Sequence, residues 1–189
     1  MEKFEVYIKW YKIYERKRPS AFDKAILKIG KEIRKRKQVL KKDFIEIMSY
    51  KLGNRNYVKY FNENSQEDLD KCLKDDFFEE NFDNTKTIER LGQLTKLSMV
   101  GIATASAFLA VIFPEHYGII DRFSLAALRM KTQINEEVYL EYLDKIRNIS
   151  KETGLTPKQA DLALMTYGLY LTNQNNNAKN KLSDSYQHL

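Results

Sequence analysis

The residues best placed to do chemistry lie between Glu89 and Leu128. The stretch ERLGQLTKLSMVGIATASAFLAVIFP reads as a helix, a short break at Ser98 to Gly101, and a second helix too rich in Ala and Ser to be a surface helix. Its small residues Ala103, Ala105, Ser106, Ala107 and Ala110 permit close backbone approach to the preceding helix, and Gly101 can take a positive φ and end the hairpin. Such a turn leaves free amides at the N-terminus of the second helix, where the helix dipole favours a phosphate. Ser98, Met99, Val100, Gly101, Ala103 and Thr104 are therefore the candidate phosphate-binding residues. Two plainer alternatives stay open: Gly101 as an ordinary helix–helix turn, and Thr104 as a local helix-start hydrogen bond.

A buried strand-like apolar run follows and ends in an aspartate, YGIIDRFSLAAL. Asp121, standing before RFSLAALR, is a favoured N-cap residue. An ionised carboxylate can also stabilise developing positive charge or activate water, and one residue can do both. Arg122 beside it reads either as a solvated residue or as a phosphate ligand. Tyr50 and Lys51, next to Gly53, Asn54 and Arg55, form a polar cluster that is either a solvated helix end or the lining of a groove. Trp10 reads as core packing or a partner surface. Cys72, His116 and His188 are the whole Cys and His complement, too few for a disulfide framework, a zinc site or a cysteine-ligated iron–sulfur cluster within one chain.

These residues need a scaffold, and its class follows from spacing. Seven glycines, three prolines and no period-two alternation stand against apolar residues recurring at three and four, which predicts an all-α protein. Phe4, Tyr7, Ile8, Tyr11 and Tyr14 mark a first helix ending near Pro19, and Ser20 opens a second through Phe22, Ile26, Ile29 and Ile33. Further helices are expected at Asp43 to Leu52, Arg55 to Phe61 and Gln66 to Phe78. Another runs from a cap at Asn84 and Thr85 to about Lys96. Asn135 starts a long helix that Gly154 ends, and Thr156 and Pro157 start the last. The 189 residues suit one compact multi-helix domain over residues 1–172, or two small lobes sharing an interface. The polar stretch 173–189 reads as a mobile tail.

Thirty-two Lys and Arg against twenty-six Asp and Glu give +6, with the excess early, in Arg16 to Arg18 and Lys28 to Lys42. The surplus favours a polyanionic partner, unless the run simply solvates a helix face. Asp75, Asp76, Glu79 and Glu80 interrupt the basic surface, so a DNA-facing side, if there is one, is expected elsewhere. No stretch approaches the roughly 20 apolar residues of a membrane span, and a cytoplasmic, reducing location is expected.

LSMVGIATASAFL is similar to the helix-hairpin-helix pattern of the DNA glycosylases related to endonuclease III, with Leu97, Val100, Gly101, Thr104 and Ala105 at matching places. The aspartate that follows the apolar run in that family corresponds to Asp121, eighteen residues after Ala103. The final helix LTPKQADLALMTYG resembles the closing helix of the archaeal 8-oxoguanine glycosylases. The clear likeness covers Leu91 to Arg129, about a fifth of the chain. It implies two helical lobes, a double-stranded DNA partner, and hydrolysis of the N-glycosidic bond of a damaged or modified base with Asp121 as the carboxylate. It implies no cofactor beyond a monovalent cation at hairpin carbonyls. Ala103 stands where bifunctional members carry a lysine that attacks the sugar, so monofunctional hydrolysis is what the resemblance implies. Met99 stands at the first hairpin glycine. The alternatives are a non-catalytic helix-hairpin-helix DNA-binding protein and an interaction bundle in which the hairpin is structural.

Overall fold

In the computed structural model, the backbone is described for residues 2–17, 20–52 and 63–186, and side chains for 4–16, 23–52 and 63–174. The described residues form helices and no strand: α1 Glu2–Lys17, α2 Ser20–Arg36, α3 Lys41–Leu52, α4 Gln66–Cys72, a 3-10 turn at Asp75–Phe78, α5 Asn84–Leu94, α6 Ile102–Ile112, α7 Arg122–Leu128, α8 Glu136–Thr153 and α9 Pro157–Tyr186. The helix expected at Arg55 to Phe61 lies outside the described residues. None of these helices is long and apolar enough to cross a membrane.

Most boundaries have local causes. Ser65 and Asp68 close a reciprocal capping box on α4. Asp83, rather than Asn84 or Thr85, caps α5 by accepting from the Lys86 amide. Asn135 caps α8, which Gly154 ends at φ 74°. Thr156 and Gln159 exchange bonds at the start of α9, Thr156 Oγ1 accepting from the Gln159 amide at 3.2 Å and Gln159 Oε1 from the Thr156 amide at 2.8 Å. Helix α9 runs past Asn173 because neither Gly nor Pro follows Gly168 to break its ladder.

The core is built around α6, in which Thr104 to Ile112 are all buried. Helices α2 and α3 pack on one side of it, with the Phe44 and Phe108 ring centroids 5.1 Å apart. Gly30 of α2 backs directly onto the Val111 carbonyl, where a Cβ would lie 1.9 Å from the oxygen. Helices α7 and α8 pack against α9, and α1 lies along α9 through Trp10, stacked 5.4 Å from Tyr167 and tilted 5.0 Å from Tyr170. Each aromatic or aliphatic side chain fully buried in such contacts stabilises the fold by about 1.5–3 kcal/mol.

Between α6 and α7 the chain runs through Tyr117, Gly118, Ile119 and Ile120, buried and outside any helix, with no strand partner among the described residues. Backbone polar groups removed from water need partners, and here side chains supply them. Tyr139 donates to the Gly118 carbonyl at 3.1 Å and Lys51 Nζ to the Ile120 carbonyl at 2.9 Å, while the Tyr142 hydroxyl lies 3.3 Å from the Ile119 carbonyl. The Ile120 amide donates to Ser106 Oγ at 3.2 Å. Gly118 is required by proximity: a Cβ there would sit 2.7 Å from Ile146 Cδ1 and 2.9 Å from Asp161 Cβ.

Candidate functional site

Asp121 emerges from this buried run at the start of α7. Its Oδ1 accepts from the amides of Phe123 and Ser124, both at 2.8 Å, which is the N-cap interaction expected from its position. Its Oδ2 takes no hydrogen bond among the described residues. Asp121 is half-buried, and one of its carboxylate oxygens holds the helix. Arg122 is exposed, with its guanidinium carbon 4.6 Å from the centroid of the Phe123 ring.

The break between α5 and α6 is a tight turn. The Leu97 amide donates to the Leu94 carbonyl at 3.1 Å and the Val100 amide to the Leu97 carbonyl at 3.2 Å. The left-handed residue is Met99, at φ 65°, and not Gly101, which caps α6 in an extended conformation at φ −91° with no side-chain bond. The expectation of a positive φ at Gly101 is thus corrected: reversal is completed two residues earlier, leaving Gly101 only to enter the helix. Met99 carries its side chain at the tip, 51% exposed. Asn64, itself buried, grips the turn from outside, donating to the Ser98 carbonyl at 3.0 Å and accepting from the Ser98 amide at 2.8 Å. Ser98 Oγ donates to Glu63 at 2.6 Å. Both polar groups of Ser98 that could donate are therefore engaged within the protein.

The amides of Gly101, Ile102 and Ala103 precede Thr104, the first residue to donate back to the Gly101 carbonyl, and belong to the turn that a helix start leaves unpaired. Val100 and Thr104 are buried and Ala103 is half-buried. Thr104 forms no helix-start side-chain bond among the described residues. The basic run of α2 does not extend this surface. Gly30 and Arg34, which pairs with Glu115 at 3.0 Å, hold it to the C-terminal end of α6, roughly 15 Å along that helix from Ile102.

One hydroxyl joins the turn to the aspartate. Ser106 Oγ donates to the Ala103 carbonyl at 2.8 Å and accepts from the Ile120 amide, so the first turn of α6 and the residue before Asp121 are held by the same atom. Beneath lies a cluster the sequence reading did not assemble. Asp161, 2% exposed, accepts from Tyr142 at 2.9 Å and Ser124 at 3.2 Å, and pairs with Lys158 at 3.4 Å. Burial pushes the Asp161 carboxyl above its ordinary range, Asp121 adding to this and Lys158 opposing it. Lys51 is not a solvated helix end: it crosses from α3 to the Ile120 carbonyl, and burial draws its ammonium pKa down against the pull of Asp121 and Asp161. Lys158 and Asp161, charged at i and i+3 amid Ala160, Leu162, Ala163 and Leu164, carried a readable signal; Lys51 had none, since its acceptor lies 69 positions away.

A cavity of about 210 Å³ opens next to this cluster, lined by Tyr11, Tyr14, Asp23, Tyr50, Lys158 and Gln159. Lys158 Nζ lies 5.3 Å from the Tyr50 ring centroid, so the cavity and the Asp161 cluster share a wall. No group of three or more His, Cys, Asp and Glu suited to a metal ion occurs among the described residues. Comparison with protein-family models, curated proteins and solved structures finds no match to this chain.

Proposed function

We propose that this chain is a DNA glycosylase of the helix-hairpin-helix type, working in the cytoplasm on double-stranded DNA and hydrolysing the N-glycosidic bond of a damaged or modified base. The observation that carries the reading is the division of labour at Asp121, whose Oδ1 caps α7 while Oδ2 is left without a protein donor among the described residues. Rupture of an N-glycosidic bond gives the sugar oxocarbenium character. A fixed carboxylate oxygen facing it lowers the barrier electrostatically or takes a proton from the attacking water. The amides of Gly101, Ile102 and Ala103 would receive a backbone phosphate, with Ser98 and Val100 shaping the turn and Met99 lying against the duplex. Arg122, exposed one residue beyond the carboxylate, would meet a second phosphate. Residue 103 is alanine, so no step runs through a hairpin amine.

The test is base release from duplexes bearing single uracil, hypoxanthine, 8-oxoguanine or alkylated bases, with abasic product revealed by alkali, in the wild type and in Asp121→Asn. Product lost in the variant supports the reading. Salt-dependent duplex binding equal in both proteins, with no base released by either, would replace it with a non-catalytic DNA-binding module.

A further inference from the structure

Helix α2 carries six Lys and Arg, and the fold sorts them into two sets. Arg34 pairs with Glu115 at 3.0 Å and Arg36 with Asp43, so both arginines are engaged within the protein. Lys24, Lys28, Lys31 and Lys35 are exposed, and none has an ion-pair or hydrogen-bond partner among the described residues. At 3.6 residues per turn, their spacing of four, three and four holds them within about 60° of the helix surface, in a row about 16 Å long. Ile26, Gly30 and Ile33 form the opposite, buried side of the same helix. Of the two carboxylates among residues 23–36, Asp23 accepts from Tyr14 at 2.7 Å, and Glu32 stands exposed beside the row rather than within it.

We propose that Lys24, Lys28, Lys31 and Lys35 form a docking surface for the sugar–phosphate backbone of a nucleic acid, separate from the turn between α5 and α6. The proposal goes beyond the glycosylase reading and does not need base release. One strand of a duplex carries a phosphate about every 3.4 Å of axis, so about five phosphates pass a row of this length, and the counterions they release drive the association. Two other polyanionic partners fit the same face less well. A bilayer surface holds a basic helix through bulky apolar residues as well as charge, yet the large exposed apolar side chains among the described residues are Leu52, Ile88, Met99, Leu169 and Tyr170, none of them on α2. Protein interfaces are anchored by aromatic residues, Met and Arg and are depleted in Lys, whereas this row is lysine alone. Lysine is a point charge without the planar fork that reads base edges, so the row binds backbone without regard to sequence.

The experiment is fluorescence anisotropy of the full chain with an undamaged duplex of about 20 base pairs and with one of its strands alone, titrated from about 50 to 200 mM salt. The test variant carries Lys24→Gln, Lys28→Gln, Lys31→Gln and Lys35→Gln together. It is expected to bind the duplex at least about tenfold more weakly, and the slope of log K against log salt should shrink by about 3–4, near 0.9 for each lost contact. Glutamine is a good helix former and the four lysines hold nothing in place, so circular dichroism should show an unchanged fold. Replacing the same four by arginine keeps the charge and should keep the slope. A control with Lys71, Lys74, Lys131 and Lys151 changed to glutamine removes equal charge from other elements and should leave the slope within about one unit of the wild type. An unchanged slope in the test variant, an equal fall in the control, or no binding of either nucleic acid by the wild type overturns the proposal. So does retention on phosphatidylserine vesicles or poly-glutamate, lost in the test variant, without binding to nucleic acid. Base release with an unchanged slope overturns the lysine row alone, whereas a slope that falls as expected with no base released from any damaged duplex overturns the glycosylase reading alone.

Discussion

Ser106 lends the Ile120 amide the hydrogen bond that a neighbouring strand would otherwise supply, while returning its own proton to the Ala103 carbonyl one turn earlier in α6. A single side chain thereby fixes the distance between the hairpin and the carboxylate. Ser106→Ala leaves the buried Ile120 amide unpaired, and the expected loss is about 1–3 kcal/mol in urea denaturation. A loss under about 0.3 kcal/mol would mean that the bond contributes nothing to holding the segment.

The two roles of Asp121 separate by substitution. Asparagine is as good an N-cap as aspartate, so Asp121→Asn is expected to stay within about 0.5 kcal/mol of the wild type while losing base release. Asp121→Ala should lose about 1 kcal/mol as well. Equal destabilisation by both variants, measured by denaturant midpoint, would show that the charge and not the cap holds α7.

Met99 occupies a left-handed conformation that costs a side-chain-bearing residue about 1–2 kcal/mol, partly offset on replacement by the greater chain entropy of glycine. Met99→Gly is expected to raise stability by up to about 1 kcal/mol. If the side chain lies against duplex DNA, the same variant binds more weakly. A fall in the urea midpoint would refute the assignment of strain to this residue.

Arg90 is wholly buried and has no carboxylate partner among the described residues; its guanidinium donates to the carbonyls of Phe77, Glu79 and Asn81 and to the Tyr117 hydroxyl, with Phe82 and Phe113 against its face. Arg90→Ala leaves these acceptors unpaired around a void and should cost about 3–5 kcal/mol. Arg90→Lys, unable to present the planar fork, should recover less than half of that, as read by calorimetry.

His116 stacks on Phe82 at 3.5 Å with an interplanar angle of 4°. Burial lowers its pKa from 6.5, Glu115 opposing and Arg147, Arg90 and Arg34 adding. The depressed folded value means that protons bind the unfolded chain more readily. The stabilising contribution is therefore present above about pH 6.5 and lost as pH falls through the folded pKa. Tm should decline from about pH 6.5 downwards, and His116→Gln should reduce that decline; an unchanged profile in the variant would assign it to other groups.

What the sequence revealed is what neighbouring residues decide among themselves. Asn135, Gly154 and the Thr156–Pro157 start are local events, readable because a cap and its amides lie within a few residues. The apolar spacing of Ile26, Ile29 and Ile33 likewise identified a helix. At the candidate site, Asp121 was legible by its place before RFSLAALR, but the open second oxygen was not, since a sequence does not say which lone pairs remain. Arg90 carried no signal of its burial, because most of its acceptors are backbone carbonyls of an irregular loop that carry no residue-type signature. Gly101 and Met99 exchanged roles because the glycine nearest a turn is only the easiest residue to place at positive φ, while the bonds from Asn64 to Ser98 bear on where the chain reverses.

The packing of α1 on α9 has a consequence in time. Trp10 rests on Tyr167 and Tyr170, and Tyr11 accepts from Gln159 at 3.1 Å across 148 positions of sequence. A ribosome therefore delivers α1 long before the surface it covers exists, and at about 5–20 residues per second the first helix waits about 8–30 seconds for its partner. During that interval its aromatic face lacks the surface that covers it in the folded protein.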